Sequence, residues 1–390
     1  MPHIDLEDME SGTGRLLDTG LNSEAQTQAV IHRAGDVLFS KLRPYLAKSY
    51  LAIAPGSATG EILTMRPTAS LDSRYFLYVT LSDLWLDWAT STSYGSKMPR
   101  SSWQIMRELQ IPLPELDEQR RIADFLDKQT ALIDLLRQKS ERLISVGDDW
   151  FRSVVWSQIT GTEEVDQRSS DLPWADTLPS HWGTVKISYV ARLGTGHTPS
   201  RSRPEWWVDA TTPWITTGEV AQFRRDQVEA IFDTRENISD LGLENSSAVL
   251  HPKGTVVLCR TASAGYSAIM GADMATSQDF VTWTCGPELD PAFLLWCLRA
   301  MRRDLLGRLA QGSTHKTIYF PDAQSLKIPL PPLDEQRRIV DRIRAARSHS
   351  LLAEDASTRM NALLAEKRLA LITEAVTGRL DMSTARTAAA

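Results

Sequence analysis

The chain has 390 residues, 42% apolar and 24% charged, with a net charge of −6. This is enough for two or three ordinary soluble domains, and the acidic balance argues against indiscriminate nucleic-acid binding. The longest apolar run, at 291–298, is far short of a bilayer span. The acidic start MPHIDLEDME has no signal-peptide core. Cys259, Cys285 and Cys297 form no CxxC pair and read as free thiols of a reducing cytoplasm.

In chain order, residues 1–115 read as a first mixed α/β module. Short β-type runs at 36–40, 50–53 and 61–65 precede a helical stretch over 73–88 and a polar loop over 91–100. Residues 116–161 follow as one long helix, with Asp117 as its N-cap and Gly161 as its C-terminal stop. Apolar residues at Ile122, Leu126, Ile133, Leu136, Leu143, Trp150 and Val154 fall on a heptad spacing and predict a coiled-coil seam, with Gly147 marking a possible bend. The polar stretch 162–177 reads as a linker. Residues 178–332 form a second module, with strand-like runs at 213–217, 255–259 and 280–284 and a helix over 291–309. Residues 333–378 are a second long helix, with Ile339, Ile343, Met360 and Leu364 on its apolar stripe, and 379–390 is an Ala/Thr-rich tail expected to be disordered.

The two halves are copies. Residues 111–122 read IPLPELDEQRRI and residues 328–339 read IPLPPLDEQRRI, identical at eleven of twelve positions with an offset of 217. The same offset relates Thr160-Gly161 to Thr377-Gly378 and Phe76-Leu77 to Phe293-Leu294. Each copy is therefore a folded module followed by a helix of fixed length. The heads differ: the run PHIDLED from Pro2 aligns loosely with the run PWITTGE from Pro213, so the first module lacks counterparts of residues 178–212. A misassigned start, a truncated gene and a short first module are all compatible with that difference.

With its duplicated IPLPxLDEQRRI segments, LPSHW at 178–182, GTGHTPS at 194–200 and the ending EKRLALITEAVTG at 366–378, the chain resembles the specificity subunit of type I restriction-modification systems over nearly its whole length. The resemblance implies an α/β (α+β) fold with two target recognition domains separated by two long helices in an antiparallel coiled coil. It further implies a non-catalytic subunit whose two modules read the halves of a split sequence on double-stranded DNA. On that resemblance two modification (methyltransferase) subunits dock on the helices, and restriction subunits join through the complex. The cysteines, the short apolar runs and the scattered histidines lead us to expect a cytoplasmic protein with no membrane association, no cofactor and no metal.

The residues support this independently. A helix of about 42 residues spans about 63 Å at 1.5 Å per residue, on the order of 18 base pairs of DNA. Cationic, aromatic and hydroxyl side chains suit contacts to phosphates and base edges, and they gather at Lys41, Arg43, Tyr45 and Lys48, and in the paired loops at Ser96, Lys97 and Arg100 and at Ser313, Thr314, His315 and Lys316. Thr216, Thr217 and Arg260 are further candidates, each with a plain structural reading beside the functional one. Residues 299–316 carry five Arg/Lys against the single acid Asp304. Ile122, Leu126, Ile133, Leu136, Leu143, Ile339, Ile343, Met360 and Leu364 are the candidates for helix or partner contact. No Asn/Asp-Pro-Pro-Tyr/Phe methyltransferase motif, no GxxxxGK[ST] loop and no lysine two residues after an acid occurs, and the seven histidines show no metal-ligand spacing. A coiled-coil interaction protein without DNA binding is the alternative, and a silent truncated allele is another.

Overall fold

The computed structural model describes residues 2–17, 29–310 and 316–380. It divides into two compact units, residues 1–143 with 356–390, and residues 144–355. Each unit joins one module to one half of each long helix.

In the first unit, Val37–Ser40 is the fully buried centre of an antiparallel sheet flanked by Ser49–Leu51 and Ile62–Met65. A second sheet pairs Gly56–Thr59 in parallel with His3–Ile4 and antiparallel with Ala29–His32. The helical stretch expected over 73–88 is two helices, Ser73–Leu81 and Asp83–Ser91. Ser82 separates them: its hydroxyl bonds back to the Val79 carbonyl at 2.7 Å, the local competition that disfavours serine inside a helix. Phe39, Phe76 and Trp85 meet edge to face and share a core with Ile122, Leu126, Ile372 and Val376.

In the second unit, a five-stranded sheet runs in the order Ala191–Thr195, Phe280–Cys285, Val256–Cys259, Ser267–Met270, Ala230–Ile231. Thr212–Ile215 pairs in parallel with Ala275–Thr276, as His3–Ile4 does with Gly56–Thr59 in the first unit. The short turns Leu6–Asp8 and Thr217–Gln222 follow the two leading strands at matching places. Residues 178–212 precede that shared start. The expected linker is a correction. Much of it is the hairpin of Gln167–Leu172 and Ala175–Pro179, because Leu172, Trp174 and Ala175 are buried and draw the strands onto the core. The helix expected over 291–309 is also shorter. Pro291–Ala300 is followed by Arg302–Asp304 and a wider turn, Leu305–Leu309, which contains the weak helix former Gly307.

The long helices are Leu116–Thr160 and Leu333–Val376, without a break at Gly147. Within each unit they run antiparallel. Arg368 meets Asp134 at 2.7 Å while Ser140 bonds the Ser357 carbonyl at 3.2 Å in the first unit. In the second, Arg347 lies over the Phe151 ring while Arg342 reaches Gln158. Asp117 is not the cap. The helix starts at Leu116, the Glu115 carbonyl accepts from Glu118 and Gln119, and Asp117 is an exposed first-turn acid near the positive end of the helix. Gly161 and Gly378 follow the two helices in the left-handed conformation that favours glycine.

The seam keeps a heptad, with half of its positions one residue away from those expected. Leu126, Thr130, Ile133, Ser140 and Phe151 are buried and Arg137, Ile144, Gly147 and Val154 half-buried, alternating by four and three residues. Leu136 and Leu143 lie one residue off this stripe and are 44% and 65% exposed, and Met360, beside half-buried Asn361, is 52% exposed. Ile122, Ile339, Ile343 and Leu364 stay buried.

The repeated motif explains itself through its glutamine. Gln119 is fully buried. Its Oε1 accepts from the Asp72 amide at 2.8 Å, and its Nε2 donates to the Ser70 and Pro114 carbonyls at 2.9 and 2.8 Å. Gln336 accepts from the Asp290 amide and donates to the Glu288 and Pro331 carbonyls, each at 2.9 Å. Asp72 and Asp290 are the N-caps of Ser73–Leu81 and Pro291–Ala300. One side chain thus ties the start of a module helix to the start of a long helix, twice.

Three outcomes follow. Gln119→Ala or Gln336→Ala leaves buried backbone groups unpaired and should cost about 2–4 kcal/mol in denaturant unfolding, with similar losses in both units. Leu126→Ala should cost about 2–5 kcal/mol, while Leu143→Ala should stay within about 0.5 kcal/mol; equal losses would put both residues on the seam. Hydrogen bonds from Arg66, opposed by burial, hold the Asp36 carboxyl below its ordinary 3.8. That stabilisation is present above 3.8 and is lost as pH falls through the lower folded value. Asp36→Asn should flatten the acid limb of first-unit stability.

Candidate nucleic-acid interface

Two of the predicted clusters in the first module are a single surface. The Arg43 amide donates to the Pro99 carbonyl at 2.8 Å, the Ser101 amide to the Lys41 carbonyl at 3.0 Å, and Tyr94 and Arg100 exchange backbone bonds. The loop after Val37–Ser40 and the loop at 92–100 are thereby stitched together. Arg43, Tyr45, Tyr94, Ser96, Lys97 and Met98 stand exposed on the result. Arg43 has φ +50°, a left-handed conformation that glycine adopts without strain and other residues only at a cost of about 1–2 kcal/mol. Tyr94 was missed by the sequence reading. Its only signal was a lone aromatic in a polar loop, and the pairing with Arg100 is a tertiary fact.

Other predicted cations are engaged by the fold. Lys48 Nζ donates to the Leu6 carbonyl at 2.6 Å. Arg100 pairs with Glu61 at 3.1 Å, which raises the guanidinium pKa through hydrogen bonding. Lys41 is half-buried.

Arg260 lies 217 positions after Arg43 and shows a related stitch. Its carbonyl accepts from the Ile318 amide at 2.8 Å. Its Nε, however, is bound to the Gln278 carbonyl at 2.9 Å, so part of the guanidinium holds a turn. Lys316 is exposed and its Nζ reaches the Leu306 carbonyl at 2.9 Å. Ser313, Thr314 and His315 lie outside the described residues. Thr216 caps the turn Thr217–Gln222, its hydroxyl accepting from the Gly218 amide at 3.3 Å, and Thr217 is half-buried in that turn.

The basic run 299–316 is largely neutralised. Arg299 is buried, donating to the carbonyls of Asp226, Val228 and Ser267. Burial pushes its guanidinium down to about 10. Arg302 makes a two-pronged pair with Asp226, and Arg308 pairs with Asp304. Arg299, Arg302, Arg303 and Arg347 line a cleft of about 780 Å³ with Arg224 and Arg225. Arg224 lies over Tyr266 and bonds Ser263, and Arg225 bonds Glu354. Trp214 is buried with half-buried Trp207 against it, and Arg201 covers the Trp207 ring. Those tryptophans are at the core and its edge.

Known proteins share this architecture. A family model described as the type I restriction modification DNA specificity domain matches residues 13–144 and 179–351. A curated relative, the type I restriction enzyme MjaIX specificity subunit of Methanocaldococcus jannaschii, is 28% identical over 166 residues, 42% of this chain and 37% of that protein. The chain thus spans little more than a third of that relative's length. A chain from the type I R-M system, solved for its complex assembly and conformational transition, superimposes with a TM-score of 0.74 at 21% identity, covering 97% of this chain and 92% of that one. The HsdS subunit from Thermoanaerobacter tengcongensis does so with a TM-score of 0.57 at 21% identity, covering 97% and 90%. At that identity the likeness is one of fold. No helix among the described residues is long and apolar enough to cross a membrane.

The surface separates two kinds of cation. Arg43→Ala and Lys97→Ala should leave the stability of the chain within about 0.5 kcal/mol of the parent. Lys48→Ala should lower first-unit stability by about 1–3 kcal/mol, because it strips a charged donor from a carbonyl. Thermal and denaturant unfolding of the three variants checks the division.

Proposed function

Because the chain belongs to the family of type I restriction modification DNA specificity domains, we propose that it is the non-catalytic DNA-recognition subunit of a type I restriction-modification complex. Each module reads one half of a bipartite target on double-stranded DNA. The long helices set the spacing and dock methyltransferase subunits, two in number because the motif surface is presented twice. Restriction subunits join through that assembly.

The observation that carries this reading is the stitched loop pair of the first module. It presents Arg43, Tyr45, Tyr94 and Lys97 outward, a cation and aromatic set suited to phosphates and base edges. In the second module this reading assigns the same role to Arg260, which is half-buried, and Lys316, which is exposed. Partner docking is supported by what the folded helices leave over. Leu132, Leu136 and Leu143 are exposed on the first helix at 52%, 44% and 65%. Arg120 and Arg121, repeated as Arg337 and Arg338, are exposed in both copies of the motif. Partner subunits also supply the positive charge that an acidic chain needs to approach DNA.

The test is methylation mapping of host DNA with and without the gene, followed by DNA binding of the assembled complex across a salt series. A two-part motif that disappears on deletion is the expected result. Arg43→Ala or Lys97→Ala should weaken binding and reduce the salt slope by about 1 for each phosphate left unneutralised. Unchanged methylation, with salt-independent binding, would favour the interaction-scaffold alternative that the exposed leucines also fit.

A further inference from the structure

Neutralisation of the second unit's arginines is incomplete at the cleft of about 780 Å³. Among the described residues that cleft is lined by seven arginines and four acids, in a chain whose net charge is −6. Glu354 bonds Arg225 at 3.1 Å, Asp149 bonds Arg152 at 2.8 Å, and Asp148 lies 3.9 Å from Arg347. The fourth acid, Asp226, is shared by Arg299 and Arg302 at 3.2 and 2.6 Å. Arg224 and Arg303 are exposed and make no ion pair among the described residues. The cleft therefore keeps positive charge that its own acids do not offset.

That charge is held in a fixed place. Three carbonyls hold buried Arg299, and Arg347 donates to the Arg225 carbonyl at 3.1 Å. Arg302 Nε donates to the Gly265 carbonyl at 2.9 Å, and its guanidinium lies 4.7 Å from the Tyr266 ring centre, with that of Arg224 at 5.4 Å. Asp226 has φ +57°, a left-handed conformation strained for a residue with a Cβ, and such strain gathers at functional sites. Burial pushes Arg299 down to about 10 against the pull of Asp226, and Arg302 and Arg347 repel it further. The repeated fold does not require these side chains. The counterpart of Arg347, 217 residues earlier, is Thr130, and residues 81–86, which correspond to 299–303, read LSDLWL. The first module packs Leu81, Trp85 and Leu86 into its core there.

We propose that this cleft binds a free polyphosphate chain, ligated by Arg224 and Arg303 over the fixed charges of Arg299, Arg302 and Arg347. A guanidinium presents parallel donors that match two oxygens of one phosphate. Arg224 stands in the turn that ends at Asp226, and Arg303 in the helical turn Arg302–Asp304. Two unpaired cations on separate elements suit a ligand with more than one anionic group, and the volume is that of a small-molecule site. The chain of phosphates is inorganic or the tail of a nucleotide; the chemistry that the arginines recognise is the same. The site stands whether or not the modules read DNA.

The probe is inorganic tripolyphosphate, titrated calorimetrically into the full chain at constant ionic strength. It should bind saturably, and Arg224→Ala and Arg303→Ala should each weaken it about tenfold. Both side chains are exposed, and unchanged thermal unfolding verifies that the variants fold. Arg192→Ala removes the same charge from an exposed position outside the cleft and should leave the affinity unchanged. A nucleoside triphosphate that binds more tightly than tripolyphosphate, and is weakened by the same two variants, makes the ligand a nucleotide; equal affinities make it inorganic polyphosphate. Absence of saturable binding at millimolar tripolyphosphate, or an equal loss in Arg192→Ala, overturns the proposal. So does weaker duplex-DNA binding by the two cleft variants with tripolyphosphate binding unchanged, because the arginines then belong to a DNA surface. Saturable binding of an oligoglutamate peptide without binding of tripolyphosphate assigns the cleft to an acidic polypeptide and equally refutes it.

Discussion

Everything in either unit depends on a buried glutamine. Gln119 and Gln336 each use both ends of the carboxamide, one oxygen for a module-helix amide and one nitrogen for two carbonyls. The carbonyls come from the module and from the proline just before the long helix. An amide can do this because it carries an acceptor and two donors in one plane. Glutamate in its place would present acceptors to carbonyls and repel them. The circuit sets where each long helix leaves its module, and the apolar packing of Ile122 and Ile339 follows one turn later. This gives a physical reason for a twelve-residue string to recur nearly unchanged when the modules around it have diverged.

From that anchor the buried and half-buried positions of both helices keep the 3.5-residue period of a coiled coil. The consequence is a mixed contact stripe. Thr130, Asp134, Ser140 and Arg368 are buried beside Leu126 and Ile133, and Arg368 is satisfied by Asp134 and by the Gly12 and Thr13 carbonyls. Leu136 and Leu143 lie beside that stripe, at the surface.

The charge distribution follows the same logic. Arg299 and Arg302 belong to the core of the second module, held by Asp226 and by backbone carbonyls. Arg100 and Lys48 hold the first. Counting cations along a stretch of chain therefore overstates what is available to a polyanion. Among the described residues, Arg43 and Lys97 stand exposed on the two stitched loops, Arg43 in the left-handed conformation.

Much was legible in the sequence because it was local or repeated. The duplication, the module-helix-module-helix order, the strands at 36–40 and 280–284 and the glycine stops at Gly161 and Gly378 rest on periodicity, turn chemistry and identity between copies. Those signals do not depend on distant contacts. The tertiary structure alone decided the rest. Leu136 and Leu143 face outward because the contact stripe passes one residue further on, through Arg137 and Ile144, a register that the partner helix sets. Residues 167–179 form a hairpin instead of a linker because Trp174 and Leu172 find a core to enter. Arg299 and Lys48 are structural because carbonyls far along the chain come to meet them. One Ile-Pro-Leu-Pro run pairs with a strand and its twin, among the described residues, does not, although their letters agree, because a strand's hydrogen bonds depend on what folds beside it.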